Sequence, residues 1–468
     1  MDRQAETILW HDYETTGVDP RSDRPMAFAA QRTDFALEPI GEPVRVEFAL
    51  ADDVLPSPDA CLVTGLDPDR KGTVRELEGA RRVLELMMQP RSCGAGFNSM
   101  RFDDELTRFL FWRNLLPPYE RESRNGNSRF DLIDVLRAAC ALRPEGMEWP
   151  EREPGIVSFR LEDLAAANGL EHDAHDALGD VRATIALARK LRGVRTAMFD
   201  WLAEGRHRSV VQDRIRGFRK EAFVHVSARF PAAWRCTSLV VRVADHPRFR
   251  NQILCLDLRH DPQQILDHEV AELRARLFSP REQRPADEAP LGIKGIHFGR
   301  CPVVAPRKLL DEASIQRIAL DVAQCERHAE FIEKHRDALE MKLAAIYDEE
   351  PLGKSDADLA LYEGFVEDED AAICREVHGS RPDRWRDFER EFQDPRLEEL
   401  LFRMRARNHA ETLGATEHER WRAIRRARLA DAPKLLARIA ELRLDPANDG
   451  KVLDAVEAAI QRRVARLG

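Results

Sequence analysis

Nowhere in its 468 residues does the chain offer the run of about 18 apolar residues that a membrane-spanning helix needs. The eight cysteines stand singly, Cys236 and Cys255 being the nearest pair. That leaves neither a CxxC zinc spacing nor a compact disulfide framework. The opening MDRQAETILWHDYE has no basic stretch leading into an apolar run, so no secretory signal is read and a cytoplasmic protein is expected. A basic excess is also missing: 73 Lys and Arg against 83 Asp and Glu leave a net charge of −10. This does not exclude a nucleic-acid ligand, because an enzyme that holds divalent metal concentrates carboxylates and can still bind phosphate through a local basic groove. Internal repeats and low-complexity tracts are absent from the sequence as well.

What is present is a globular composition, 43% apolar and 33% charged, long enough for about three domains. TILWHDY at residues 7–13 reads as a strand, with PMAFAAQRTDF from Pro25 and VRVEFAL from Val44 as its sheet neighbours. Helical patterns follow from Val74, Asp104, Arg129 and Asp180, giving an α/β layer domain that ends near residue 195. Arg206 to Lys220 then carries six basic residues against one acidic. Beyond it FVHVSARF, SLVVRVAD, ILCLDLRHD and GIHFGRCPVVAP read as a small β-rich domain with EVAELRARLF as a helix beside it. From Ile318 the apolar residues Val322, Cys325, Ile332, Leu339, Leu343 and Ile346 recur at helical spacing, and the remainder reads as all-α, with a hinge around Pro351.

The chemistry is concentrated in three places. In HDYETTG, Asp12 and Glu14 are two apart on a strand and aim two carboxylates into one space. Such acids repel unless a cation lies between them; the alternative is a strand ending in a solvated turn. In GFNSMRFDDE, Asn98 and Phe102 precede Asp103, Asp104 and Glu105 at the start of an amphipathic helix, where a carboxylate also suits the helix N-terminus. The glycines of CGAGF lack the third glycine of a dinucleotide fingerprint. In EHDAHDALGDVRAT, His175 lies five residues before Asp180, and histidine takes a proton near neutral pH. A structural role for that histidine is the competing reading.

D-x-E, then Asp, then H-x4-D, in that order across about 170 residues, resembles the DEDD superfamily of 3′→5′ exonucleases in its His subtype. Four carboxylates suit two divalent ions about 4 Å apart, one activating water and one stabilising the leaving oxygen. Together HDYETTG, DRPMAFAAQRTD, CLVTGLDP, RFDDELTRFLFWRN, ALRPEGMEWP, SFRLEDLAAANGLEH and AHDALGDVRATIALA resemble the bacterial exonuclease I family, which is specific for single-stranded DNA. FVHVSARFPAAWRCTS, GIHFGRCPVVAP and LEELLFRMRARN extend the likeness over nearly the whole chain. The resemblance implies a ribonuclease H-like exonuclease domain at 1–197, a β-rich Src-homology-3-like domain at 198–350 and an all-α C-terminal domain at 351–468. It also implies Asp12, Glu14, Asp103 and Asp180 as ligands of two Mg²⁺ ions, with Mn²⁺ as a substitute, His175 as general base, and Glu14 and Arg160 in contact with substrate.

A single strand needs a basic track and stacking surfaces. Arg214, Arg216, Arg219, Lys220 and Arg235 beside Trp234 are candidates, as are Arg403, Arg405 and Arg407, each with a solvated charged face as its alternative. Trp10 shares a strand face with Asp12, whereas Trp112 and Trp149 read as core. The resemblance further implies a partner, the single-stranded-DNA-binding protein, through its acidic C-terminal tail, with Arg143 as part of the docking surface. The expected activity is digestion of single-stranded DNA to 5′-mononucleotides in repair and recombination, by a monomer. An RNA-trimming exonuclease of the same superfamily and an inactive nucleic-acid-binding scaffold are the other readings.

Overall fold

A computed structural model describes residues 6–172, 176–279, 290–348 and 355–467. The chain divides into two compact units, neither of them continuous in sequence. The first takes residues 1–128, 172–185 and 353–468; the second takes 129–171 and 186–352. Among the described residues no helix is long and apolar enough to cross a membrane.

In the first unit the three apolar runs at the start of the chain form β1 (Thr7–Thr15), β2 (Pro25–Thr33) and β3 (Val44–Glu47). They join β4 (Ser92–Gly96) in the order β3-β2-β1-β4. β1 is antiparallel to β2 and parallel to β4. The register sets Asp12 opposite Ala29 and Glu14 opposite Ala27, so small side chains flank the two acids. Three helices follow in the chain: α1 (Pro58–Thr64), α2 (Glu76–Met87) and α3 (Asp103–Arg113). Leu9, Tyr13, Phe28 and Phe48 of the sheet region pack against Val83 of α2 and Leu106 and Leu110 of α3. For α2 the apolar face read from the sequence is this buried one, whereas α3, expected to be amphipathic, is buried at every residue but Glu105.

The C-terminal helices belong to the same unit. Leu397, Leu400, Leu401 and Met404 of the helix Pro395–Asn408 bury Phe109 and Trp112 of α3. Beside them lies a buried lattice of charge. Asp358 meets Arg24 at 3.0 Å, Arg403 at 3.2 Å, Arg407 at 2.6 Å and Arg428 at 2.9 Å. Asp53 meets Arg407 at 2.9 Å and Arg428 at 2.7 Å.

The second unit holds the expected β-rich region. Its strands run in the order Ile293–His297, Gln252–Asp257, Thr237–Asp245, Phe223–Val226, Val303–Pro306, and each neighbouring pair is antiparallel. Leu273 of the helix Val270–Phe278 packs here as the sequence suggests. So do Ile318, Cys325, Ile332, Leu339, Leu343 and Ile346, whose helices cover this sheet rather than joining the helices that follow residue 355. The sequence period shows that those residues form a buried face but not which partner buries it.

Candidate active site

Asp12 and Glu14 lie on the less buried face of β1, while Tyr13 between them points into the core. The Tyr13 hydroxyl is 3.0 Å from Oγ1 of Thr107, and that Oγ1 donates to the Asp103 carbonyl at 2.7 Å. These two bonds pin the end of β1 to the first turn of α3. Asp180 stands in the first turn of the helix Ala177–Val194. One carboxylate oxygen from each of Asp12, Glu14 and Asp180 lies within 4.8 Å of the others.

The electrostatics follow from that crowding. Burial and the carboxylates of Asp103, Asp180 and Glu14 hold the Asp12 carboxyl well above its usual range. Burial, with Asp180 and Asp176, pushes Glu14 up to about 8. A set of hard oxygens that resists ionising together fits a divalent cation, whose charge removes the repulsion. Asp12, Glu14 and Asp180 are therefore the residues able to hold one, with Asp103 acting on Asp12 from α3.

The acidic run of α3 separates by function. Asp103 acts on the site, whereas buried Asp104 pairs with Arg121 at 2.6 Å. Glu105 pairs with Arg108 at 2.8 Å and bonds the Tyr362 hydroxyl. His11 is fully buried, its Nδ1 3.3 Å from the Leu9 carbonyl, and burial lowers it to about 4, so it is uncharged at neutral pH. Trp10 does not line the site. It is fully buried, and its Nε1 donates to Thr33 Oγ1 at 3.0 Å. Gly96 explains one glycine of CGAGF by close approach: a Cβ there would stand 2.8 Å from Ser99 Cβ and 2.9 Å from the His11 carbonyl oxygen.

His175 lies outside the described residues. A second histidine, His172, was not singled out from the sequence; its Nε2 is bonded to Asp180. The segment EHDAHD contains both histidines, and H-x4-D drew attention only to the later one. Arg45 on β3 was missed as well; it binds both oxygens of Asp176 at 2.5 Å.

Arg160 belongs to the second unit; its side chain is exposed and stands 3.6 Å from Glu162. Among the other basic candidates there, Arg214 stacks 3.6 Å from the Trp201 ring centroid and pairs with Glu204 at 3.1 Å. Arg235 is largely buried and pairs with Glu151 at 3.2 Å. Arg216 is exposed beside Asp213, Arg219 is exposed, and Lys220 pairs with Glu333 at 3.0 Å. In the first unit the side chains of Arg403, Arg405 and Arg407 are buried and each is paired with carboxylates. They are part of the packing and do not form an open track, a correction to the charged-surface reading of that cluster. Trp112 is core as expected and donates to the Ala357 carbonyl, whereas Trp149, also read as core, is half-buried and donates to the Pro144 carbonyl.

Comparison with known proteins agrees with this geometry. Residues 9–188 match the Exonuclease family model, 206–349 the Exonuclease I SH3-like domain and 355–461 the Exonuclease I C-terminal domain. Exodeoxyribonuclease I of Escherichia coli K12 is 40% identical over 91% of this chain and 90% of its own length. The chain belongs to the exodeoxyribonuclease I family. A zinc-bound complex of Escherichia coli exonuclease I with single-stranded DNA superimposes with a TM-score of 0.92 at 36% identity, over 99% of this chain and 100% of that one. A complex described as SSB/Exonuclease I with an inhibitor gives 0.90 at 36% identity, over 99% and 100%. Like the zinc-bound relative, this member of the exodeoxyribonuclease I family uses divalent metal, and Asp12, Glu14 and Asp180 form an acidic cluster that could hold an ion.

Proposed function

We propose that the protein digests single-stranded DNA from the 3′ end, releasing 5′-mononucleotides. The observation that carries this is the convergence of Asp12, Glu14 and Asp180 at the mouth of β1 in a chain of this family. Asp12, Glu14, Asp180 and Asp103 hold the metal, with Mg²⁺ as the physiological ion because the donors are all hard oxygens. When bound, it supplies an acidic water and charge stabilisation for the leaving oxygen. His175 takes the proton of the attacking water, as its pKa range suits. His11 is ruled out of that role by burial. Glu14 and Arg160 contact the substrate, Arg160 presenting an exposed guanidinium that suits phosphate.

Arg216, Arg219 and Lys220 are the best part of the proposed track because their side chains are exposed, whereas those of Arg214 and Arg235 are largely buried in their ion pairs. We assign the acidic tail of the single-stranded-DNA-binding protein to a pocket of the second unit lined by Leu239, Leu310, Ile315, Leu320 and Val322 with Arg307 and Lys308. Arg143 belongs to the same neighbourhood, 3.1 Å from Asp311. An apolar pocket with basic side chains suits an acidic peptide. The three-domain division at 197 and 350, the monomeric state, the cytoplasmic location and the role in repair complete the reading.

The test is Asp12→Asn against the wild type on a single-stranded DNA oligonucleotide. Loss of about a thousandfold or more in rate is expected, the several kcal/mol a metal site contributes. Unchanged activity would remove the site assignment. For the partner, Arg143→Ala is expected to lose stimulation by the tail-bearing protein with basal digestion intact; unchanged stimulation would remove Arg143 from that surface.

A further inference from the structure

We propose that His172 is a positioning residue for Asp180, fixing the carboxylate that the metal site needs. This rests on the metal-site reading of Asp12, Glu14 and Asp180. The His172 Nε2 lies 2.5 Å from Asp180 Oδ1, and the two side chains are 8% and 22% exposed. An ionised carboxylate only accepts hydrogen bonds, so Nε2–H donates. Among the described residues no histidine nitrogen joins the three-carboxylate group, so His172 stands outside that group and touches one member of it.

The backbone of this turn is held separately. The Asp176 carbonyl accepts the Asp180 N–H at 2.9 Å, and Asp176 Oδ2 accepts the Gly179 N–H at 3.1 Å. Arg45 in turn grips both Asp176 oxygens. The helix start is therefore fixed without His172, and what the ring adds is the orientation of the Asp180 side chain. Metal-binding carboxylates depend on such outer hydrogen bonds, whose loss costs about 10- to 100-fold in metal affinity.

The experiment measures Mn²⁺ binding to the full-length, metal-free chain by calorimetry, together with kcat and KM on single-stranded DNA. His172→Phe keeps the bulk and removes the donor; His172→Gln restores a donor near the Nε2 position. The expected result is Mn²⁺ binding weakened about 10- to 100-fold in His172→Phe. KM for DNA and the thermal midpoint in chelator should be unchanged, and most of the loss should be recovered in His172→Gln. Wild-type Mn²⁺ binding by His172→Phe would overturn the proposal. So would a loss that His172→Gln does not recover and that comes with a lowered midpoint in chelator, since that would mark a merely structural residue. Asp12→Asn is the control: if it binds Mn²⁺ as the wild type does, the metal-site reading itself fails, whatever His172 does.

Discussion

Glu14, pushed up to about 8 from an ordinary 4.5, makes the metal-free protein sensitive to pH in a definite direction. Between those values the unfolded chain has lost the proton and the folded chain keeps it, so the group's contribution to stability is full below about 4.5 and is lost as pH rises toward 8. The thermal midpoint in chelator should fall across that window, the fall should be shallower in Glu14→Gln, and added Mg²⁺ should reverse it. A midpoint in chelator that rises with pH would show that the acids are not crowded. The pair Asp12 and Glu14 was legible because strand alternation fixes which side chains share a face. The fate of the three acids at 103–105 was not: Arg108 stands one turn on in the same helix, but Arg121 and Tyr362, which take up Asp104 and Glu105, lie outside the local pattern. The same holds for Arg403, Arg405 and Arg407, which read as a solvated or DNA-facing cluster until their carboxylate partners are seen.

At the scale of elements, the site depends on how closely β4 approaches β1. Gly96 leaves no room for a methyl group between Ser99 and the His11 carbonyl, one residue before Asp12. Gly96→Ala should cost about 1–3 kcal/mol in denaturant unfolding, the usual penalty of overpacking, and should lower activity further by shifting the end of β1. A variant as stable and as active as the wild type would show that the approach is not limiting. The strands and helices themselves were readable from their periods: β1 to β3, α2 and α3 all fall where the apolar patterns lie. What covers what was not readable. The helices from Val322 to Tyr347 have a clear apolar face, but only the structure assigns that face to the second-unit sheet.

At the scale of the whole molecule, distant stretches of sequence are tied into the first unit by buried charge. Asp358 gathers four arginines from residues 24, 403, 407 and 428. Burial opposes its ionisation, but Arg407, Arg428, Arg24 and Arg403 hold its carboxyl well below the ordinary range. Its contribution is therefore present above the unfolded carboxylate's pKa and is lost as pH falls into the acid range. Asp358→Ala leaves those arginines buried without their shared partner and should destabilise the protein by about 3–5 kcal/mol in denaturant titration at neutral pH. An unchanged unfolding midpoint would show that Asp53 and Asp356 suffice. The central claim is tested most directly by following a 5′-labelled single-stranded DNA oligonucleotide beside its duplex and its RNA counterpart, with Mg²⁺ or with chelator. Stepwise shortening of the single-stranded DNA alone, only with Mg²⁺, is the predicted result. Equal digestion of RNA, or no shortening of a strand that is still bound, would contradict it.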